Sequence, residues 1–197
     1  MNAETLLALT LYAFATSGTP GPNNMMLLAS GVNFGFRRTV PHMLGIDIGF
    51  AVMIALVGLG LVGLFTAWPP ARIILQVASV AYMLWLAWKI ATAAPPAEGG
   101  TAGKPLTFLQ AAGFQWVNPK AWAMALTATA VYAPGQQVAL VLLVALVFGA
   151  VTLPCVAAWA GLGTALRRWL ADPVRLRWFN YGMAGLLVAS LWPALRG

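Results

Sequence analysis

The sequence predicts an all-α integral membrane protein: six transmembrane helices arranged as a 3+3 inverted repeat, with helices 1 and 4 broken. Three observations lead there. Hydrophobic residues make up 61% of the 197-residue chain and charged residues only 8%; a soluble domain carries about 25% charged residues, so too little polar surface exists to face water. Six apolar stretches each reach the ~20 residues that a bilayer core requires. Short motifs also recur in the same order in the two halves. Residues 1–197 read as a single membrane domain.

The first stretch, residues 4–33, is interrupted by Thr19-Pro20-Gly21-Pro22-Asn23-Asn24. Each proline removes a backbone donor, and Pro22 disfavours the helical conformation at Gly21. Hydrocarbon offers no partner for the freed groups, so the break needs cover from protein or from a water-filled cavity. Stretches 40–66 and 71–92 complete the first repeat, with a turn at Pro69-Pro70. Residues 93–105, containing Pro95, Pro96, Gly99, Gly100 and Gly103, read as the linker between repeat 1 (about 1–92) and repeat 2 (about 106–197). The fourth stretch, 106–132, carries its own break at Asn118-Pro119-Lys120. Stretches 136–164 and 175–195 follow turns at Pro134-Gly135 and Asp172-Pro173. With Glu4, no basic residue before the apolar run and no small-residue cleavage site, the N-terminal stretch is expected to be a retained span rather than a signal peptide.

Basic residues set the expected orientation. The loops after spans 1, 3 and 5 hold Arg37, Arg38, Lys89, Lys104, Arg167, Arg168, Arg175 and Arg177, whereas the opposite side holds only Arg72 and Arg196. The positive-inside rule then places the odd-numbered loops in the cytoplasm and both termini outside. The same pattern accounts for the net charge of +7 without nucleic acid as a partner. Pro70-Ala71-Arg72 recurs 103 residues later as Pro173-Val174-Arg175, and Gly58-Leu59-Gly60 recurs at that offset as Gly161-Leu162-Gly163. Three spans per unit is an odd number, so the second unit lies inverted relative to the first. Secondary transporters use this plan, with paired broken helices meeting near the midplane.

Lys120 is the most costly residue to place. A lysine at a span centre costs at least ~2.5–3.5 kcal/mol, so it should meet a partner or water. It is a candidate to hold a substrate carboxylate, to pair with Asp47, or to donate to carbonyls freed around Pro119. Asp47 is the only acid within a span and the candidate proton-coupling residue; the alternative is a water-reached carboxylate paired with Arg37 or Arg38. His42 reads as a solvated interfacial histidine. Asn23, Asn24 and Asn118 flank the breaks, where their amides can bond backbone, an ammonium or a carboxylate. Helix N-termini that follow the breaks favour a carboxylate. With Pro20, Gly21, Pro22, Pro119 and Lys120 they make up the expected substrate site, to which Gln115 and Tyr82 are added as polar lining. Trp68, Trp88, Trp169, Trp178 and Trp192 fit an interfacial belt, while Trp116 and Trp122 are expected to pack in the core. Gly31/Gly35 and Gly45/Gly49 are small-xxx-small pairs that let helices of one chain approach closely. Cys155 is the only cysteine, and neither metal-ligand spacing nor a phosphate loop nor paired acids occur. No cofactor and no enzymatic chemistry are expected.

These residues resemble the LysE/RhtB family of amino-acid exporters along essentially the whole chain. The resemblance rests on Pro20-Gly21-Pro22-Asn23, on Gly31-Val32-Asn33-Phe34-Gly35-Phe36-Arg37-Arg38, on Ala81-Tyr82-Met83-Leu84-Trp85-Leu86-Ala87, and on Asn118-Pro119-Lys120-Ala121. The flanks, including Leu86-Ala87-Trp88-Lys89-Ile90-Ala91, are most similar to the cysteine/O-acetylserine exporter branch. The resemblance implies proton-driven export of an amino acid or derivative across the bacterial inner membrane, with the small amino acid and the lipid bilayer as partners. A homo-oligomer is left open. Relatives often carry an acid at the position of Phe50; here Asp47 lies three residues earlier, on nearly the same helix face. Ser79 and Ala87 replace usual glycines. An uncoupled facilitator or pore and a non-transporting membrane interaction protein remain the alternatives.

Overall fold

The fold, taken from a computed structural model, is described for residues 1–93 and 104–191. All regular secondary structure among these residues is helical. The α-helices are α1 (Ala3–Gly18), α2 (Pro22–Phe34), α3 (Phe36–Leu56), α4 (Gly63–Ala67), α5 (Pro70–Ala91), α6 (Phe108–Phe114), α7 (Pro119–Tyr132), α8 (Val138–Leu166) and α9 (Pro173–Ala189). A π turn, Val57–Leu61, prolongs α3. Three of the described helical runs are long and apolar enough to cross a membrane: Phe36–Leu61, Pro70–Ala91 and Val138–Leu166. They coincide with the second, third and fifth predicted stretches. The first and fourth stretches are divided at the expected places, into α1 and α2 by residues 19–21 and into α6 and α7 around Asn118. The linker prolines and glycines at 95–103, Trp192 and Arg196 lie outside the described residues.

Two expectations are corrected. The second stretch begins as a helix at Phe36, not at residue 40, and so Arg37 and Arg38 sit exposed on its first turn. Gly35 makes this possible: its φ of 79° lets the chain end α2 and enter α3 within one residue. Pro41 is accommodated inside α3 at the cost of one backbone donor. The matched Gly-Leu-Gly triplets also differ in conformation. Gly60 lies in the π turn with φ 104°, whereas Gly161–Gly163 is regular α8. By contrast, Pro70 and Pro173 each open a helix, where their missing N–H has no partner to lose.

α2 runs through the middle of the molecule. Every residue from Asn24 to Asn33 is buried, as expected for a helix enclosed on all sides. α8 packs against α1, α2, α3 and α7. One core cluster joins Leu9 and Ala13 of α1, Phe50 and Met53 of α3, Ala125 of α7 and Phe148 of α8. Phe50 meets Phe148 edge-on at 5.5 Å. A second cluster joins Met83 and Leu86 of α5 to Phe114 of α6 and Leu187 of α9. Because lipid tails are as apolar as leucine, contact between such helices depends on close packing rather than on the hydrophobic effect. Gly45 and Gly49 supply it within the chain, as expected; of the Gly31/Gly35 pair only Gly31 does, Gly35 being the turn between α2 and α3. Gly45 and Gly49 seat α6 through Ala111 and Ala112, and Gly31 and Gly163 let α2 and α8 touch backbone to backbone, with Gly31 Cα 3.1 Å from where a Gly163 Cβ would lie.

A Cβ on Gly163 would fall on the carbonyl oxygen of Leu28. Gly163→Leu is therefore expected to destabilise the protein by about 1–3 kcal/mol. This is read as a lower unfolding midpoint in detergent. An unchanged midpoint would show that α2 and α8 do not cross this closely.

Candidate functional site

A helix that stops inside apolar surroundings leaves its last carbonyls without amide partners. At the end of α1, each of the last carbonyls from Thr16 to Pro20 finds a side-chain donor. The Thr19 hydroxyl donates to Thr16 O at 3.0 Å. The Asn24 amide donates to Ser17 O and to Thr19 O, both at 2.8 Å. The indole N–H of Trp159, on α8, reaches Gly18 O at 3.1 Å. Lys120, from the start of α7, directs Nζ to Thr19 O and Thr19 Oγ1 at 3.0 Å each, and to Pro20 O at 3.4 Å. Donors from α2, α7 and α8 thus converge on one broken helix end.

The two breaks are also joined directly. The Asn23 amide donates to Gln115 Oε1 at 2.9 Å, and Gln115 Nε2 returns a bond to Asn23 Oδ1 at 3.1 Å. Gln115 is fully buried and is fixed further by a bond from Nε2 to Ala111 O. Asn118 caps α7, its side chain accepting from Lys120 N. Gly21 lets the lysine pass, since a Cβ there would lie 2.8 Å from Lys120 Cδ. Lys120 therefore satisfies neither of the two intramolecular expectations. Its ammonium binds oxygens of the opposite break, at Thr19 and Pro20, rather than carbonyls near Pro119 or the carboxylate of Asp47.

Between the breaks lies a cavity of about 30 Å³, room for about two waters. Its walls include Ser17, Gly21, Asn23, Asn24, Asn118 and Lys120, with Phe50 of α3 and Thr152 of α8. Ser17 and Thr152 share a hydrogen bond of 3.0 Å. Tyr82 is not brought here: it stacks on Phe114 and Trp85 in the α5 cluster. Asp47 does not line this cavity either, although Ile46 and Phe50 do; it is 9% exposed, with Oδ1 lacking a hydrogen-bond partner. Trp116 and Trp122, both half-buried, pack against the first core cluster, and Trp122 Nε1 donates to Trp116 O.

His42 is not the solvated interfacial residue expected. It is 2% exposed with both ring nitrogens unpaired, and it borders a second cavity of about 380 Å³ with Ser30, Asn33, Trp85 and Lys89. α3 begins one turn earlier than the sequence predicts, which carries His42 inward. Four contributors to the first site are not evident from sequence: Ser17, Thr19 as an acceptor, Thr152 and Trp159. A hydroxyl two residues before Pro154 in an otherwise apolar span is the available signal for Thr152.

The electrostatics of the break are two-sided. The carbonyl end of α1 carries partial negative charge and the N-terminus of α2 partial positive charge. α2 has no side-chain cap, so its first N–H groups stay available to an anion. An ammonium and a carboxylate can be held side by side at such a junction.

Known proteins match this chain. The model of the LysE type translocator family matches residues 14–191. The chain is 36% identical over 140 residues to the cysteine/O-acetylserine efflux protein of Escherichia coli (strain K12), and equally to those of Shigella sonnei (strain Ss046) and Shigella flexneri serotype 5b (strain 8401); each alignment covers 71% of this chain and 71% of the relative. No solved structure matches the chain. With its helical architecture, membrane-length apolar helices and a family match over nearly its full length, the chain is a membrane protein that belongs to the LysE type translocator family.

Proposed function

We propose that this protein exports a small zwitterionic amino acid, or a close derivative, from the cytoplasm across the inner membrane in exchange for protons. The observation that carries the reading is the polar junction of the two breaks, Asn23–Gln115 and Lys120–Thr19, within an apolar helical chain. Polar groups are expensive within apolar spans, and here buried Asn24, Gln115 and Asn118 cluster with half-buried Asn23 and Lys120 next to a cavity. The relatives named for cysteine/O-acetylserine efflux make those two compounds the first substrates to test. In this scheme the substrate docks between residues 20–24 and 118–120, its carboxylate held by Lys120 and the α2 N-terminus. Asp47, or another group still to be identified, takes up the proton that favours the outward-facing state. Asn24 and Asn118 chiefly hold the broken backbone, and Tyr82 contributes at most through Phe114.

The architecture that goes with it is a single domain of six spans. Repeat 1 covers about residues 1–92 and repeat 2 about 106–197, inverted, with cytoplasmic odd-numbered loops and termini outside. With Cys155→Ala as background, a cysteine at Gln136 is expected to react with an impermeant thiol reagent on intact cells, and one at Ala171 only after lysis. The reverse pattern would invert the topology.

Transport itself is tested in proteoliposomes with labelled cysteine, O-acetylserine, threonine, leucine and lysine, with and without an imposed pH gradient. Accumulation of one class above equilibrium, abolished by collapsing the gradient, is expected. Asp47→Asn is expected to retain flux that only equilibrates. Flux that never exceeds equilibrium in the unmodified protein would replace the exporter by a facilitator, and no flux for any compound would remove the transport reading.

Removing one member of the Asn23–Gln115 pair leaves the other unsatisfied, so Asn23→Leu or Gln115→Leu should each cost about 1–3 kcal/mol of stability. The double substitution should recover part of this without recovering transport. Recovery of both would reduce the pair to a structural role.

A further inference from the structure

We propose that Thr19 Oγ1 and the carbonyl oxygens of Thr19 and Pro20 are the subsite for the substrate's ammonium group, and that Lys120 occupies this subsite until a substrate carboxylate draws it away. The inference rests on the amino-acid reading above and assigns the atoms that hold one end of the molecule.

The subsite is already filled by a chemical likeness of its ligand. The Lys120 ammonium is a primary alkylammonium, as is the α-ammonium of an amino acid, and it sits against three oxygens at 3.0, 3.0 and 3.4 Å. An ammonium has three donors and no acceptor, so three converging oxygens match it fully. They lie at the carbonyl end of α1, whose partial charge favours a cation. The Thr19 hydroxyl is oriented to accept, because its proton goes to Thr16 O and leaves a lone pair facing Nζ. The adjoining cavity, about 30 Å³, holds no amino acid while Lys120 lies across Gly21. Lys120 is one wall of this cavity, and its departure from the three oxygens is the step the proposal requires for a substrate to enter.

An exchange keeps every charge paired. The substrate ammonium takes the three oxygens, and the displaced Lys120 ammonium pairs with the substrate carboxylate beside the uncapped start of α2. A simple amine can take the oxygens but strands Lys120 without an anion. A simple carboxylate can engage Lys120 but leaves the oxygens empty. Only a molecule carrying both groups satisfies the site, so the lysine acts as an internal competitor that selects zwitterions.

The test uses methylammonium as the probe and the full chain in lipid nanodiscs, with affinity read from titrations of thermal stability. In Lys120→Met the oxygens are vacant, and methylammonium is expected to bind about tenfold tighter than to the unmodified protein, the worth of one charged hydrogen-bonding arrangement. Tetramethylammonium, which has no N–H, should gain nothing. Adding Thr19→Val should take back a large part of the gain. Lys120→Ala provides the same vacancy should Lys120→Met fold poorly. Equal affinity for methylammonium with and without Lys120, or an equal gain for tetramethylammonium, would overturn the proposal. The titration does not depend on transport, so a missing gain removes the subsite alone. A gain alongside failed uptake of every amino acid removes the exporter reading alone.

Discussion

Carbonyl oxygens with no amide partner, at a helix end that stops within an apolar chain, organise this molecule. Pro20, Gly21 and Pro22 stop α1 inside an apolar chain, and the oxygens from Thr16 to Pro20 must then be met by side chains. Those donors come from α2, α7 and α8. Satisfying one helix end therefore fixes where three others lie, and the polar junction follows from that necessity. Lipid contributes no hydrophobic force to bring these helices together, so the hydrogen bonds at the break and the close glycine contacts contribute more to cohesion than they would in a soluble bundle.

The same constraint accounts for what kind of residue stands where. Asparagine and glutamine can donate and accept at once, so Asn23 and Gln115 close a reciprocal pair with no charge to bury. Lysine has only donors, and it stands where only acceptors are exposed. Tryptophan offers a single N–H on an otherwise apolar ring, which suits Trp159 to reach Gly18 O from an apolar helix.

Much of this is legible in the sequence, for physical reasons that differ from residue to residue. Proline beside a second Pro, Gly, Asn or Asp leaves a clear mark, so both breaks and the starts of α5 and α9 can be placed from Pro20, Pro22, Pro119, Pro70 and Pro173, whereas the lone Pro41 and Pro154 stay inside α3 and α8. A lysine in a span announces a partner, but the identity of that partner depends on how the two breaks face each other. Lys120 is thus recognisable while its ligands, at Thr19 and Pro20, are not. His42 misleads because Arg37 and Arg38 suggest a loop, whereas Gly35 allows the helix to begin before them. Tyr82 misleads for a simpler reason: a phenol in a span can turn its polar tip either way, and here the ring is claimed by Phe114 and Trp85.

The crossing of α2 and α8 at Gly31 and Gly163 has a mechanical meaning. Two helices whose backbones touch cannot slide by a fraction of a turn, because one main chain would have to ride over the other. α2 and α8 therefore behave as one stiff rod pair, of which α2 is the buried member. The extended residues between α1 and α2 form a joint at one end of that pair, and the only cation bound at the joint belongs, among the described residues, to α7. A movement that kept the glycine crossing intact would have to turn at these extended residues rather than between α2 and α8.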